Sequence, residues 1–296
     1  MKVPKFILLP LLLLCLGYTG HTQTGLMQSE IGLNAGGLNY IGDLNNQSMF
    51  GRLNLGYGLF YRYNFDDRWC LRFDAAYGHL EGGNPKHLPG VKGDYIALRN
   101  LSFYSYVGEA SVRVEFNFFN YGASGTQYHW TPYLFVGLGM FAFNPTACYT
   151  DPKLNTTQWY DLQPLGTEGQ GSDEYPDRQA YSLMQANMPF GLGFKFKPNA
   201  LLAFSVEYGF RKTWTDYIDD VSTTYVGSEI LDHYHPDEPA SGLADRSGEV
   251  EDLYVNAPGI KRGDDSLDDW YAYLNVSVSF RLDKLLWWVG KKKCEK

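Results

Sequence analysis

The histidines and the carboxylates beside them are the first residues that could do chemistry. His233 and His235 lie two residues apart, next to Asp232 and Asp237, and Zn²⁺ accepts imidazole and carboxylate ligands. This spacing matches no recognised metal motif, and a flexible polar loop is the simpler interpretation. The remaining candidates show no recognisable nucleophile or metal spacing either: His79, His87 and His129.

Acidic residues crowd one long segment in the last third of the chain. Calcium binds carboxylate oxygens, but EF-hand spacing is missing, so solvated surface charge is the default interpretation. A small-barrel lipid acyltransferase or deacylase would need Ser, His and an acid that converge in space, which a sequence does not show. We predict a non-enzymatic protein with no catalytic residue, metal site or cofactor. The acids are Asp216, Asp219, Asp220, Glu229, Asp232, Asp237, Glu238, Asp245, Glu249, Glu251, Asp252, Asp264, Asp265, Asp268 and Asp269.

Composition limits the elements that can position these side chains. The chain has 296 residues, 16% of them aromatic and 20% charged, with 23 Tyr and 32 Gly. Aromatic residues at this density exclude a disordered chain. The net charge of −8 argues against a nucleic-acid partner, because phosphate binding needs a basic surface. After the N-terminus no stretch approaches the roughly 18 consecutive apolar residues of a membrane-spanning helix, so a Tyr- and Gly-rich β protein remains.

The N-terminus has the pattern of a secretory signal peptide over residues 1–22. Lys2 and Lys5 precede the apolar run Phe6–Leu16, and a small or polar stretch follows. Cys15 lacks the small preceding residue that a lipoprotein cleavage site needs. Three cysteines remain in the mature chain, an odd number that cannot close a disulfide framework: Cys70, Cys148 and Cys294.

Two-residue alternation is the dominant pattern and predicts strands. It is clearest over residues 52–65, where Leu, Tyr and Phe occupy one phase, and it resumes at Trp69 after a tight turn at residues 66–68. Further alternating runs cover residues 106–117, 188–196, 202–211 and 270–281. Residues 30–40 and 131–143 are less clean, and in 131–143 either phase could face out. These segments predict eight strands.

Two folds fit such strands: a soluble antiparallel sandwich or lipocalin-like barrel, or a transmembrane barrel. In the six clean strands the apolar phase has no charged residue, whereas the other phase has charges of both signs that could pair inside a small barrel. We therefore predict an all-β fold, an eight-stranded antiparallel transmembrane β-barrel of the outer membrane. The predicted polar network of its lumen is Arg52, Arg62, Arg72, Asp74, Glu109, Arg113, Glu115, Lys195, Glu207, Arg211 and Arg281.

The lengths of the connections support the membrane interpretation. Short turns at residues 66–68, 118–128 and 197–200 would lie on the periplasmic side. Long extracellular loops at 81–100, 144–180 and 216–269 would lie on the other side, as in bacterial outer-membrane barrels. The barrel would cover residues 23–282, with both termini and a tail of residues 283–296 in the periplasm. Aromatic girdles are expected at both rims; the outer rim would hold Tyr40, Tyr77, Phe103, Phe141, Phe210, Trp214 and Trp270.

An interior this narrow is filled by side chains, so function should lie in loops, tail or partner contacts.

Six strings carry a resemblance to a known family: LRNLSF from Leu98, YLFVGLGMFAFNP from Tyr133, LQPLGTEGQG from Leu162, PFGLG from Pro189, RKTWTDYIDDVSTTY from Arg211 and RGDDSLDDWY from Arg262. Together with GGLNYIGDL from Gly36, they resemble a Bacteroidota outer-membrane barrel family that includes PorG of the type IX secretion system. The signature loop residues are Gln163, Gly166, Glu168, Gln170, Gly171, Asp216, Tyr217, Asp219 and Asp220.

The resemblance implies a non-enzymatic barrel, embedded in outer-membrane lipid, that anchors or organises a periplasmic ring of PorK and PorN. Two segments do not match the family pattern: residues 226–258, which look like an expansion, and the Trp- and Lys-containing tail. The alternative is an outer-membrane barrel outside that system, which binds or adheres to surfaces through its long acidic loops.

Overall fold

The computed structural model describes residues 29–45, 52–84, 99–121, 128–151, 154–250 and 255–285. The signal peptide, His87, Cys294 and residues 286–296 of the tail lie outside these ranges. Within them, no helix combines the length and the apolar character needed to cross a membrane.

The described residues form nine strands, in chain order: β1 (Ser29–Ile41), β2 (Asn54–Asn64), β3 (Trp69–Gly83), β4 (Ser102–Asn117), β5 (Trp130–Asp151), β6 (Thr156–Asp161), β7 (Met184–Phe196), β8 (Leu202–Thr213) and β9 (Trp270–Arg281). All except β6 form a closed antiparallel barrel in the ring order β1-β2-β3-β4-β5-β7-β8-β9. β9 pairs with β1 and β4 pairs with β5, so the sheet has no open edge along the barrel wall. The predicted eight-stranded antiparallel transmembrane barrel is confirmed.

The barrel strands expose apolar side chains on their outer face and bury polar side chains on their inner face, as in a membrane barrel. In β2, Leu55 is 65% exposed and Leu59 is 55% exposed, while Phe60 and Arg62 on the opposite face are 0% and 2% exposed. Successive side chains alternate between faces, so the apolar phase covers the outside and the charged phase fills the inside. A soluble barrel would reverse these faces, and lipid is the solvent that this outer surface requires.

Tight turns connect the strands at one end, which we call the short-turn end. Asp66 Oδ1 accepts hydrogen bonds from the backbone N–H groups of Arg68 and Trp69 at 2.7 and 2.8 Å. Asn199 Oδ1 accepts from Leu201 and Leu202 in the same way, at 2.9 Å each. Such side-chain acceptors stabilise tight turns, and the predicted turns at residues 66–68 and 197–200 are confirmed.

The opposite end, the long-loop end, is more ordered than the sequence predicts. β5 continues to Asp151, and its residues 146–151 pair with β6, so part of the predicted loop over 144–180 is an antiparallel strand pair. Two short helices, α1 (Ser228–Tyr234) and α2 (Ala240–Ala244), interrupt residues 214–269. We call residues 162–183 and 214–269 together the cap.

Aromatic side chains form a girdle around the barrel at the short-turn end. Trp69 packs on Phe116 with ring centroids 4.9 Å apart, and Trp130 stacks on Phe194 at 5.5 Å. At the long-loop end, Tyr77 and Trp214 are exposed as predicted for a rim. The same prediction is wrong for three aromatics that point inward and are buried beneath the cap: Tyr40, Phe103 and Phe141.

Candidate functional site: a paired interior and a folded cap

Glu115 is the centre of the charged cluster inside the barrel. Its carboxylate accepts from Arg62 Nε at 2.8 Å, from Lys195 Nζ at 2.6 Å and from Arg72 Nη1 at 3.4 Å. The strands β2, β3, β4 and β7 present these groups to one another, because each group lies on the inward phase. Glu115 is fully buried, and three cations surround it.

Arg113 connects this centre to the other side of the barrel. It binds Asp74 through two nitrogens, Nε and Nη2, at 2.9 Å each, and it donates to Glu207 Oε1 at 2.6 Å. Glu207 Oε2 accepts from Arg72 at 3.2 Å and from the Tyr133 hydroxyl at 2.8 Å. The two-nitrogen contact with Asp74 on the adjacent strand fixes the orientation of the Arg113 guanidinium, and the bonds from Arg113 and Arg72 to Glu207 join opposite sides of the barrel.

The ion-paired cations and carboxylates of this interior are equal in number. Ion pairs join five cations to five carboxylates: Arg62, Arg72, Arg113, Lys195 and Arg211 to Glu30, Asp74, Glu109, Glu115 and Glu207. Arginine side chains also cover aromatic rings, with Arg72 3.7 Å from the Phe60 centroid and Arg113 4.5 Å from that of Phe135. Buried charges are tolerated when they are paired and hydrogen-bonded. The interior is a packed polar core, which matches the expected filling of an eight-stranded barrel.

Nine of the predicted lumen residues meet in this core, and two do not. Arg52 precedes the first residue of β2 and its side chain is exposed. Arg281 lies at the last position of β9 and pairs with Asp283 at 2.9 Å, beside the short turns. Sequence reasoning omitted Glu30, although it shares the inward phase of β1 and binds Arg62 at 2.8 Å. Its alternation with the exposed Ile31 and Leu33 is the signal that identifies it.

Glu168 is the corresponding centre of the cap. Its Oε1 accepts from Arg262 Nη1 at 3.0 Å and from the Ser222 backbone N–H at 2.9 Å. Its Oε2 accepts from the backbone N–H and hydroxyl of Thr223 at 2.9 and 2.6 Å. Glu168 is buried, so one carboxylate joins the loop over 162–183 to two separate parts of the loop over 214–269.

Asp220 reinforces the same junction. Its carboxyl accepts from the Thr167 hydroxyl at 2.5 Å and from the Tyr181 hydroxyl at 2.7 Å, and Arg262 lies 3.6 Å away. Arg262 also donates to the backbone carbonyl of Asp220. Burial raises the pKa of Asp220 to about 6, and the nearby Arg262 opposes that rise.

The remaining signature residues shape this junction rather than a ligand surface. Gly166 has φ +53°, and a Cβ there would lie 2.6 Å from the Gln170 carbonyl. The Gln170 side-chain oxygen accepts from the Glu168 N–H at 2.9 Å, and Gln163 donates to the Tyr181 carbonyl at 3.0 Å. Gly171 also has a positive φ, +82°. The Tyr217 ring stacks on Tyr181 at 4.7 Å between centroids, and Asp216 and Asp219 lie on either side of Tyr217 in the same loop.

An apolar layer seals the cap onto the barrel. Ile218 and Val221 from the cap are buried together with Leu38 and Tyr271 of the barrel strands. The helices of the cap contribute Leu231 and Leu243 to the same cluster. Because burial of apolar area is the main stabilising term, the cap is a folded lid over the long-loop end and not a set of solvated loops.

The described histidines and cysteines do not converge on a common site. His235 Nδ1 lies 3.0 Å from Glu238 Oε2, and the described residues contain no group of three His, Cys, Asp or Glu side chains that could hold a metal ion. Cys70 is free and buried, and its thiol donates to Asn64 Oδ1 at 2.9 Å, while Cys148 is free and half-buried.

Comparison with known proteins gives one family and several distant structures. The model of a family described as a domain of unknown function, DUF6089, matches residues 6–162. No curated protein matches the chain. Among solved structures, Ail of Yersinia pestis aligns at 10% identity and a TM-score of 0.38, covering 85% of this chain and 96% of that one. Neisserial surface protein A aligns at 11% and 0.37, covering 86% and 97%, and OprG of Pseudomonas aeruginosa at 13% and 0.35, covering 86% and 96%.

Proposed function

The chain belongs to the DUF6089 family, and from that premise we propose that it is a non-enzymatic barrel of the outer membrane that serves as an accessory scaffold in type IX protein secretion. The observation that carries the scaffold role is the paired interior, in which Glu115 and Glu207 cross-link strands on opposite sides of the barrel. A barrel filled in this way suits an anchor rather than a diffusion channel. The link to type IX secretion rests on the resemblance of the loop strings to the PorG-containing family.

The proposed partner is the periplasmic ring of PorK and PorN. β1 begins and β9 ends at the short-turn end, where Glu30 pairs with Arg281 in register, so we assign this end and both termini to the periplasm. In the turn at residues 66–68, Asp66 and Arg68 are exposed and Arg68 Nε bonds to Asn120 Oδ1 at 3.0 Å, and this turn is the proposed surface for ring contact. The cap would then face the cell exterior and would not touch the ring.

Site-specific photo-crosslinking in native membranes tests this assignment. A photoreactive residue at Asp67 should capture PorK or PorN, whereas the same residue at Asp237 in the cap should not. Deletion of the gene should abolish export of proteins that carry the type IX C-terminal signal. Normal export in the deletion strain with altered binding to external surfaces would contradict the proposal and would favour the surface-binding alternative.

A further inference from the structure

Tyr40 lies between two buried carboxyl groups at the junction of barrel and cap. Its hydroxyl oxygen is 2.6 Å from Asp219 Oδ2 and 2.6 Å from Asp269 Oδ1. Tyr40 is the penultimate residue of β1, Asp219 is in the cap, and Asp269 immediately precedes β9. Tyr40 and Asp269 are 0% exposed and Asp219 is 1% exposed.

One phenolic hydrogen cannot satisfy both short contacts. A tyrosine hydroxyl donates a single hydrogen and accepts on oxygen, and an ionised carboxylate only accepts. If Tyr40 donates to one carboxylate, the contact with the second carboxyl is a hydrogen bond only when that carboxyl carries a proton and donates to the Tyr40 oxygen. Two hydrogen bonds at 2.6 Å therefore require one extra proton in the group.

The other oxygens of the two carboxyls are already occupied by backbone donors. Val221 N–H donates to Asp219 Oδ1 and Ile218 N–H donates to Asp269 Oδ2, each at 2.9 Å. Among the described residues, neither carboxyl forms an ion pair with a Lys, Arg or His nitrogen. Burial raises the pKa of Asp219 to about 7 and that of Asp269 well above its usual range, which agrees with a retained proton.

Gly42 closes the space around this group. A Cβ at Gly42 would lie 1.9 Å from Asp269 Oδ1 and 2.1 Å from the Tyr40 hydroxyl oxygen. The backbone just after β1 thus packs directly against the two contacts and leaves no room for a water molecule on that side. The charged groups that act on the two carboxyls from the surrounding elements are Asp43 and Arg99 for Asp219, and Asp216 for Asp269.

We propose that Tyr40, Asp219 and Asp269 share one proton and form a latch that keeps the cap seated on the barrel. Loss of the proton to solvent places two carboxylates on one phenol in a site without a paired cation. Their repulsion separates the segment around Asp219 from the end of β1. The latch is closed at acidic pH and releases as the pH rises, and it does not depend on a role in secretion.

Hydrogen exchange of the full chain in detergent micelles tests the latch between pH 6 and pH 8. After correction for chemical exchange, the latch proton should lower the protection of cap residues 214–225 by up to about tenfold per pH unit, in addition to the fall caused by the raised pKa values of Asp216 and Asp220. Asp219→Asn should remove this contribution of up to about tenfold per pH unit, because the new amide donates a hydrogen to Tyr40 and does not titrate. Asp264→Asn, a half-exposed acid of the same loop, is the matched control and should keep the wild-type slope.

An infrared measurement adds a second readout, which reports the proton itself rather than the protection of the cap. The carbonyl stretch of a protonated carboxylic acid should be present at pH 6, and its Asp219 component should be missing from Asp219→Asn whose barrel is verified by heat-modifiable gel mobility. A wild-type protection that is constant across the range, or an Asp219→Asn slope equal to wild type, would overturn the latch.

Discussion

Arg262 and Glu168 are 94 positions apart in the chain, and their side chains bond at 3.0 Å inside the cap. Their side chains are 2% and 0% exposed. Arg262 also donates to the carbonyl of Ala244 through Nε at 3.1 Å. One guanidinium thus connects both cap loops and the end of α2, and the folded state of the cap depends on it.

Replacement of Arg262 by Ala should unfold the cap locally. The change leaves Glu168 as a buried carboxylate without its cation, a loss that typically costs about 3 to 5 kcal/mol. Native-state hydrogen exchange of residues 162–183 and 214–250 would measure it, while the barrel strands keep their protection. Lys261→Ala is the control, because the neighbouring Lys261 pairs with Asp264 on the surface and its loss should change cap protection little. Equal effects of the two variants would refute the role of the buried pair.

Replacement of Arg113 by Leu should destabilise the barrel itself. Asp74 and Glu207 would each lose a buried partner, and we expect a loss of about 3 to 5 kcal/mol. The urea concentration at which half of the barrel is unfolded, measured by heat-modifiable gel mobility, would report this loss of stability. The exposed Arg52, just before β2, provides the matched variant Arg52→Leu, which should shift stability by no more than about 0.5 kcal/mol.

A charge on the outer face should be costly because that face contacts lipid. Leu55 on β2 and Val206 on β8 are 65% and 50% exposed, and Leu55→Arg or Val206→Arg should each cost about 2 to 4 kcal/mol at mid-membrane depth. Folding titrations in lipid vesicles would give the values, with Leu55→Met as an apolar control. A protein that stays monomeric in solution without detergent or lipid would contradict the membrane assignment altogether.

The barrel was predictable because its signal is local. Alternation along β2 assigns Leu55 and Arg62 to opposite faces without any knowledge of the neighbouring strands. The same rule places Arg281 inside, but it contains no information on depth, and at the strand terminus Asp283 is the nearer partner. Arg52 shows the corresponding error at the start of a strand, since the chain leaves the sheet before the alternation ends.

The cap was not predictable because its contacts are not local. Acidic residues in the segment over 216–269 indicate a solvated surface by composition, yet Asp219, Asp220 and Asp269 are buried. Their partners lie on β1 and in the loop over 162–183, and no spacing rule connects those segments. Tyr40 was assigned to a lipid rim for the same reason: an aromatic near a strand end has the same pattern whether it faces lipid or a folded lid.

Asp216 should make the cap less stable at alkaline pH. Burial, aided by Asp219, Asp43 and Glu168, raises its pKa to about 9. A carboxyl with a raised folded-state pKa contributes stability that is fully present below its unfolded pKa near 4 and is lost as the pH rises towards 9. Asp216→Asn should therefore gain cap protection relative to wild type by at least about tenfold between pH 5 and pH 9. A variant with no such gain in hydrogen-exchange protection would show that this carboxyl does not titrate with the cap.

The two cysteines of the described barrel offer a test of its orientation. Cys148, on the part of β5 that projects beyond the barrel, is half-buried, whereas Cys70 is fully buried near the short-turn end. In intact cells of a Cys294→Ser strain, a membrane-impermeant maleimide should label Cys148, and Cys70 should react only after denaturation, because thiol modification requires access. Cys148→Ser is the control and should abolish labelling of intact cells. Labelling of Cys148 only after the outer membrane is permeabilised would place the cap in the periplasm, reverse the assignment of both ends, and direct the search for ring contacts to the cap.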